Sequence, residues 1–401
     1  MASSHHTSGL PSNSSMSSAT SVRSRHKKDP HAATTTQKSF CFLSLMILVL
    51  VFTWAARPEL IGYTKSEGGT IMTKIEDVVT VPLGPKAVTI HGMEHYYLIP
   101  KRPEGLEGLL IYFHSCNRSG SSFFQYPEER IIAYGALQRG LAVFAPTSKD
   151  RESGCWTKND LPTIQDIVEE WAYNQDLTEL PRMGMGDSSG ASYLFFVFKT
   201  LKLKSMAVYN THQIYLQEDM KKKTGKAIPT VFVSMKEDEV LSKRMSKNHE
   251  QLSSAAIPTK QFHISPHPFS STLCFSRFPE LENDDCEKLY IAMKNELPSL
   301  LDRRSFVKQT LTPEEWNVFF GKIEDLLDYK SAASYYKKDK AHPRDKPQAW
   351  INEGIQQEVK ACQGFHSLSS EHHSYILDFL IKEARSKQNL RGDKKKSNDD
   401  V

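Results

Sequence analysis

Short, uninterrupted apolar runs punctuate the middle of the chain, each closed by Gly, Pro, Asn, Asp or a polar loop. Residues 109–114 (LLIYFH) and 141–145 (LAVFA) have the pattern of strands buried on both faces. Residues 181–185, 205–209, 230–235 and the more polar 259–264 also predict strands. Between them lie stretches with helical spacing. One covers 127–138 and stops at Arg139-Gly140; another covers 162–174, with Ile164, Ile167, Val168 and Trp171 on one face. Two more cover 191–203 and 240–255. Strands alternating with helices predict an α/β fold, a mostly parallel sheet with helices on both faces. Upstream, residues 72–82 and 87–99 predict two further strands joined at Gly84-Pro85. The alternation breaks over 266–351, where 286–300, 313–327 and 331–338 are amphipathic. That segment reads as a helical insertion or lid. Residues 355–362 suggest a strand, and 370–384 a closing helix whose stripe is Tyr375, Ile376, Phe379 and Leu380.

The N-terminal pattern is different. Residues 1–38 are polar, rich in Ser, Thr and His, and have too little apolar content to fold, so a disordered tail is expected. Residues 39–56 (SFCFLSLMILVLVFTWAA) carry no charge and, as a helix, span roughly 27 Å, close to a bilayer's hydrocarbon thickness. The long polar segment before them favours an uncleaved signal-anchor over a cleaved signal peptide. Lys and Arg are denser on the N-terminal side. A single-pass type II topology follows, with a cytosolic N-terminus and the main domain lumenal or extracellular. Residues 57–69 form a linker to a domain over 70–385, and 386–401 a charged, disordered tail.

Composition narrows the chemistry. The net charge of +4 gives no reason to expect nucleic acid. No Cys/His spacing suits zinc and no phosphate-cradling Gly-rich loop is present, so neither metal nor cofactor is expected. Five cysteines follow the apolar run, so at least one lacks an intrachain partner; Cys274 and Cys286 are close enough in sequence to staple a loop.

Gly186-Asp187-Ser188-Ser189-Gly190 carries the candidate chemistry. It has the G-x-S-x-G form of a nucleophile elbow, between a predicted strand and a predicted helix. A serine on such a turn stands clear of the backbone, and glycines on either side let neighbouring elements approach. An acidic loop, Lys236-Glu237-Asp238-Glu239, follows a later strand, and Gly364-Phe365-His366-Ser367 precedes the last helix. The order Ser…Asp…His resembles that of the α/β-hydrolase superfamily across about 72–385, with the insertion outside the common core. That resemblance implies Ser188 as nucleophile, Asp238 as acid and His366 as base. His267, in Ser265-Pro266-His267-Pro268, is the alternative base. It further implies an oxyanion hole built from backbone N–H groups, one from Ser189 and one from Cys116 or Asn117 in the His114-Ser115-Cys116-Asn117 loop. That loop has the family's histidine and lacks its glycines. Asn117-Arg118-Ser119 is also a glycosylation sequon, and a glycan there would crowd the loop.

The expected function is therefore a membrane-anchored serine hydrolase that cleaves an ester or related acyl bond through an acyl-enzyme. The alternatives are an inactive binding or scaffold protein of the same fold on the lumenal side and, less favoured, a glycosyltransferase. Most apolar residues of the insertion, among them Phe269, Trp316, Phe319 and Phe320, are expected to bury against the main domain, and a few left exposed toward Ser188 would favour a hydrophobic or lipid-like acyl substrate.

Overall fold

The computed structural model describes residues 83–102, 105–213, 227–327 and 347–396. All lie within one compact unit, Met72–Val401. The expected tail at 1–38, anchor at 39–56, linker at 57–69, strand at 72–82 and helix at 331–338 fall outside the described residues. Among those described, no helix is long and apolar enough to cross a membrane.

Eight strands form one sheet: β1 (Lys86–Ile90), β2 (Met93–Leu98), β3 (Gly108–Phe113), β4 (Leu141–Ala145), β5 (Arg182–Asp187), β6 (Ser205–Tyr209), β7 (Thr230–Met235) and β8 (Thr259–Ile264). Their order is β1-β2-β4-β3-β5-β6-β7-β8. The β1–β2 and β2–β4 pairs are antiparallel and all others parallel. The strands expected at 141–145, 205–209, 230–235 and 259–264 form with those same bounds.

Two expectations fail near the edges. The run 87–99 is a hairpin rather than one strand, with Ile90 paired to Met93 across His91-Gly92. Both turn residues have positive φ (53° and 73°), which the right-handed twist of a tight hairpin requires. Residues 355–362 belong to a helix, Pro347–Gln363. Its buried Ile351, Ile355, Val359 and Cys362 recur at spacings of four, four and three, a helical stripe rather than an alternation.

Alternate strand residues serve opposite faces of the sheet. Leu109, Ile111 and Phe113 of β3 join a core with helices α3 (Leu161–Asn174), α4 (Ser189–Val197) and α5 (Glu239–Ser254). Leu110 and Tyr112 join one with α2 (Pro127–Gln138), α1 (Ser122–Gln125) and the closing helix α10 (His373–Lys396). The closing helix runs past 385 into the segment expected to be a tail.

The insertion contains α6 (Ser271–Arg277), α7 (Asn283–Glu296), α8 (Pro313–Ile323) and α9 (Pro347–Gln363), so its helical part reaches almost to His366. Its Phe269, Leu289, Trp316, Phe319 and Phe320 close on one another in a third core, which also holds the Cys274–Cys286 disulfide. A self-contained core explains why helical spacing was so legible there. These aromatics pack on one another rather than against the main domain, the place expected for most of them.

Candidate active site

The chain turns sharply where β5 ends. Ser188 has φ 51° and ψ −110°, a conformation sparsely populated by residues other than glycine. Its N–H donates to Tyr209 O at 3.0 Å, and α4 starts at the next residue. The flanking glycines make the turn possible by contact. A Cβ on Gly190 would lie 2.1 Å from Phe113 O, and one on Gly186 2.7 Å from the Gly190 carbonyl carbon. The serine hydroxyl therefore stands over the carboxyl ends of the central strands, where sites in open α/β sheets form.

Two distant loops meet it. Ser188 Oγ lies 3.1 Å from His366 Nε2, and His366 Nδ1 lies 3.2 Å from Asp238 Oδ2. With Nδ1–H donating to the carboxylate, the Nε2 lone pair faces the serine hydroxyl. Asp238 serves twice, because its Oδ1 also accepts from Leu241 N–H at 3.2 Å and caps α5. The neighbouring acids differ: Glu237 and Glu239 are exposed, and Glu239 pairs with Lys243 at 2.8 Å. His267 does not take the place beside Ser188; its backbone N–H donates to Cys362 O at 2.9 Å. A further ring, His212, stands 6.4 Å centroid to centroid from His366.

The loop after β3 is held from several sides. His114 is fully buried, and burial pushes its pKa down to about 4, so the ring is neutral. Its Nδ1–H donates to Ser115 O at 2.8 Å while Nε2 accepts from Ser148 N–H at 3.2 Å. Turning the Ser115 carbonyl toward His114 leaves the Cys116 N–H on the opposite side of the same trans peptide. Cys116 is disulfide-bonded to Cys155, a pairing that spacing alone did not suggest. Among the described residues, the buried Cys362 is the free thiol. Asn117 is a correction. Its backbone N–H is spent on Ser153 O at 2.7 Å, so it is not free for an oxyanion.

An eight-stranded sheet with an antiparallel edge and a strained serine at the β5–α4 turn decides the architecture. It is an α/β-hydrolase fold. No protein-family profile and no curated protein sequence matches the chain. Among solved structures it is similar to a thermostable esterase at 12% identity and TM-score 0.35, covering 47% of this chain and 56% of that one. It is also similar to dienelactone hydrolase from Anabaena variabilis, at 16% identity and TM-score 0.34, covering 46% of this chain and 87% of that one. Est1E from Butyrivibrio proteoclasticus gives 15% identity and TM-score 0.34, covering 46% of this chain and 90% of that one. The chain thus spans just over half of the first of these and most of the other two.

A cavity of about 380 Å³ opens beside the β3 and β4 loops. Arg118, Tyr126, Arg151, Trp350 and Glu353 are among its walls. Arg118 lies over the Tyr126 ring, 3.5 Å from its centroid, and donates to Glu353 at 3.0 Å. Ser119, Ser121, Ser122 and Thr147 line it too, so the walls mix aromatic, charged and hydroxyl side chains.

Proposed function

We propose that the protein is a serine hydrolase cleaving an ester or related acyl bond, with Ser188, His366 and Asp238 as its catalytic residues. The observation that carries this reading is the continuous chain from Ser188 Oγ to His366 to Asp238 at a strained elbow. His366 Nε2 takes the Ser188 proton as Oγ attacks the substrate carbonyl. The tetrahedral oxyanion is received by the Ser189 N–H at the start of α4 and by the Cys116 N–H. Collapse breaks the bond to the leaving group, which departs with the proton from His366. Water, deprotonated by His366, then attacks the acyl-enzyme and releases the acid and Ser188. Asp238 keeps its charge throughout and orients the ring.

The apolar run at 39–56 supports attachment to a membrane. Two disulfides in the described domain suit a lumenal or extracellular setting, where thiols oxidise. We place the catalytic domain there, with the N-terminus cytosolic.

A fluorophosphonate probe on the full chain in membranes tests the activity. Labelling should be lost in Ser188→Ala and fall by roughly 10³-fold or more in His366→Ala. Equal labelling of wild type and Ser188→Ala would leave an inactive binding protein of this fold as the better reading.

A further inference from the structure

The proposed reaction needs the Ser188 hydroxyl and the His366 ring held at hydrogen-bond distance, yet the two residues stand 178 apart in sequence and on separate loops. Something must fasten those loops together. Asn210, the first residue after β6, occupies the junction. It is 1% exposed and has φ 48°, a left-handed conformation that asparagine tolerates better than most residues. Its backbone N–H donates to Val233 O at 3.1 Å, which anchors it to β7. Its side chain has two amide hydrogens, and both are used. Nδ2 donates to Asp187 Oδ1 at 3.1 Å and to Ser367 O at 2.6 Å. Asp187 immediately precedes the nucleophile, and Ser367 immediately follows the base. One carboxamide thus bridges the two loops, one residue from each reacting group.

The orientation of that amide is determined by its partners. The Ser367 carbonyl can only accept, so the NH₂ end must face it and its second hydrogen reaches Asp187 Oδ1; Asn210 Oδ1 is buried and accepts no bond among the described residues. An aspartate here would oppose Asp187 and the Ser367 carbonyl with more oxygen. A serine hydroxyl carries a single donor and is too short to span both. Asp187 is itself buried beneath the elbow, with its pKa raised chiefly by desolvation and opposed by the charge of His366 and the bond from Asn210.

We propose that Asn210 is a positioning residue for the hydrolase reaction: it sets the Ser188–His366 distance by tying Asp187 to the Ser367 carbonyl. The inference rests on the function proposed above and adds a residue no motif marks.

Asn210→Gly is the informative variant, because glycine accepts φ 48° without strain and removes only the carboxamide. The test measures the second-order rate of fluorophosphonate labelling and the kcat and KM of an ester on the full chain, well below the unfolding temperature. The expected result is a loss of about 10- to 100-fold in labelling and kcat with little change in KM, the scale of a displacement of about 1 Å. In a His366→Ala background the same change should alter the residual rate by less than about twofold, since there is no ring left to position. A purely structural role would instead lower stability and add its cost in both backgrounds. Asn210→Ser stands in if the glycine variant does not fold, and should show the same loss. Labelling within about twofold of wild type in a folded variant, or an equal loss without His366, overturns the assignment. Full labelling of Ser188→Ala would remove the hydrolase reading itself, an outcome no Asn210 variant can produce.

Discussion

Gly190→Ala should damage this protein at one point for one reason. The added Cβ would sit 2.1 Å from Phe113 O, 2.5 Å from Phe113 C and 2.6 Å from His114 O, where ordinary contact begins at 3.4 Å. All three are backbone atoms, so no rotamer relieves the clash. Either the first turn of α4 or the end of β3 must withdraw by about 1 Å. Alanine would otherwise favour the helix by up to about 1 kcal/mol, and overpacking of this kind costs about 1–3 kcal/mol or more. A net loss of about 2 kcal/mol is expected, read as a lower urea midpoint by tryptophan fluorescence. The rate should suffer more. Moving the elbow by about 1 Å displaces Ser188 from His366 and the Ser189 N–H from the oxyanion, for a labelling rate down about 100-fold. Gly321→Ala is the control: nothing lies within 4 Å of its Cβ, so stability should hold or rise by up to about 1 kcal/mol with labelling unchanged. If Gly190→Ala unfolds at the wild-type midpoint and labels at the wild-type rate, the close approach between elbow and β3 loop is not what holds the site.

Three other outcomes test the rest of the domain. Replacing Cys116 and Cys155 by serine opens a link between residues 39 apart, a loss of about 4 kcal/mol on a chain-entropy account, and should slow labelling because the Cys116 N–H is no longer held. The same change at Cys274 and Cys286, 12 apart and inside the insertion, should lower stability with labelling unchanged in the folded protein. Burial pushes the Glu129 carboxyl up to about 7 from its ordinary 4.5, so the folded state keeps a proton that the unfolded chain releases. This group's contribution therefore declines as pH rises from 4.5 to about 7. Glu129→Gln should remove that decline and gain on wild type by up to about 3 kcal/mol across the window in urea unfolding. A constant difference between the two at pH 5 and pH 8 would show that Glu129 does not titrate there.

The amino-acid pattern was enough for β3, β4, β6 and β7, because a run buried on both faces is largely apolar and its ends are marked by local breakers. It also singled out Ser188, since a strained turn between glycines is a local demand written in adjacent residues. Asp238 and His366 came from order along the chain, and only the tertiary structure brings their side chains into line with Ser188. The His91-Gly92 hairpin was hidden inside an apparently continuous alternation, and 355–362 (IQQEVKAC) was mistaken for a strand because the stripe it shares with Ile351 shows its four-residue spacing only over a longer window. The Cys116–Cys155 disulfide, the capture of the Asn117 N–H by Ser153 and the amide bridge of Asn210 have no local signature. Each depends on which loops the sheet order sets side by side, a relation between residues remote in sequence. The aromatics at 269–320 show the same division. Their helical spacing was legible, but whether they faced Ser188 or one another was decided by packing, and they face one another.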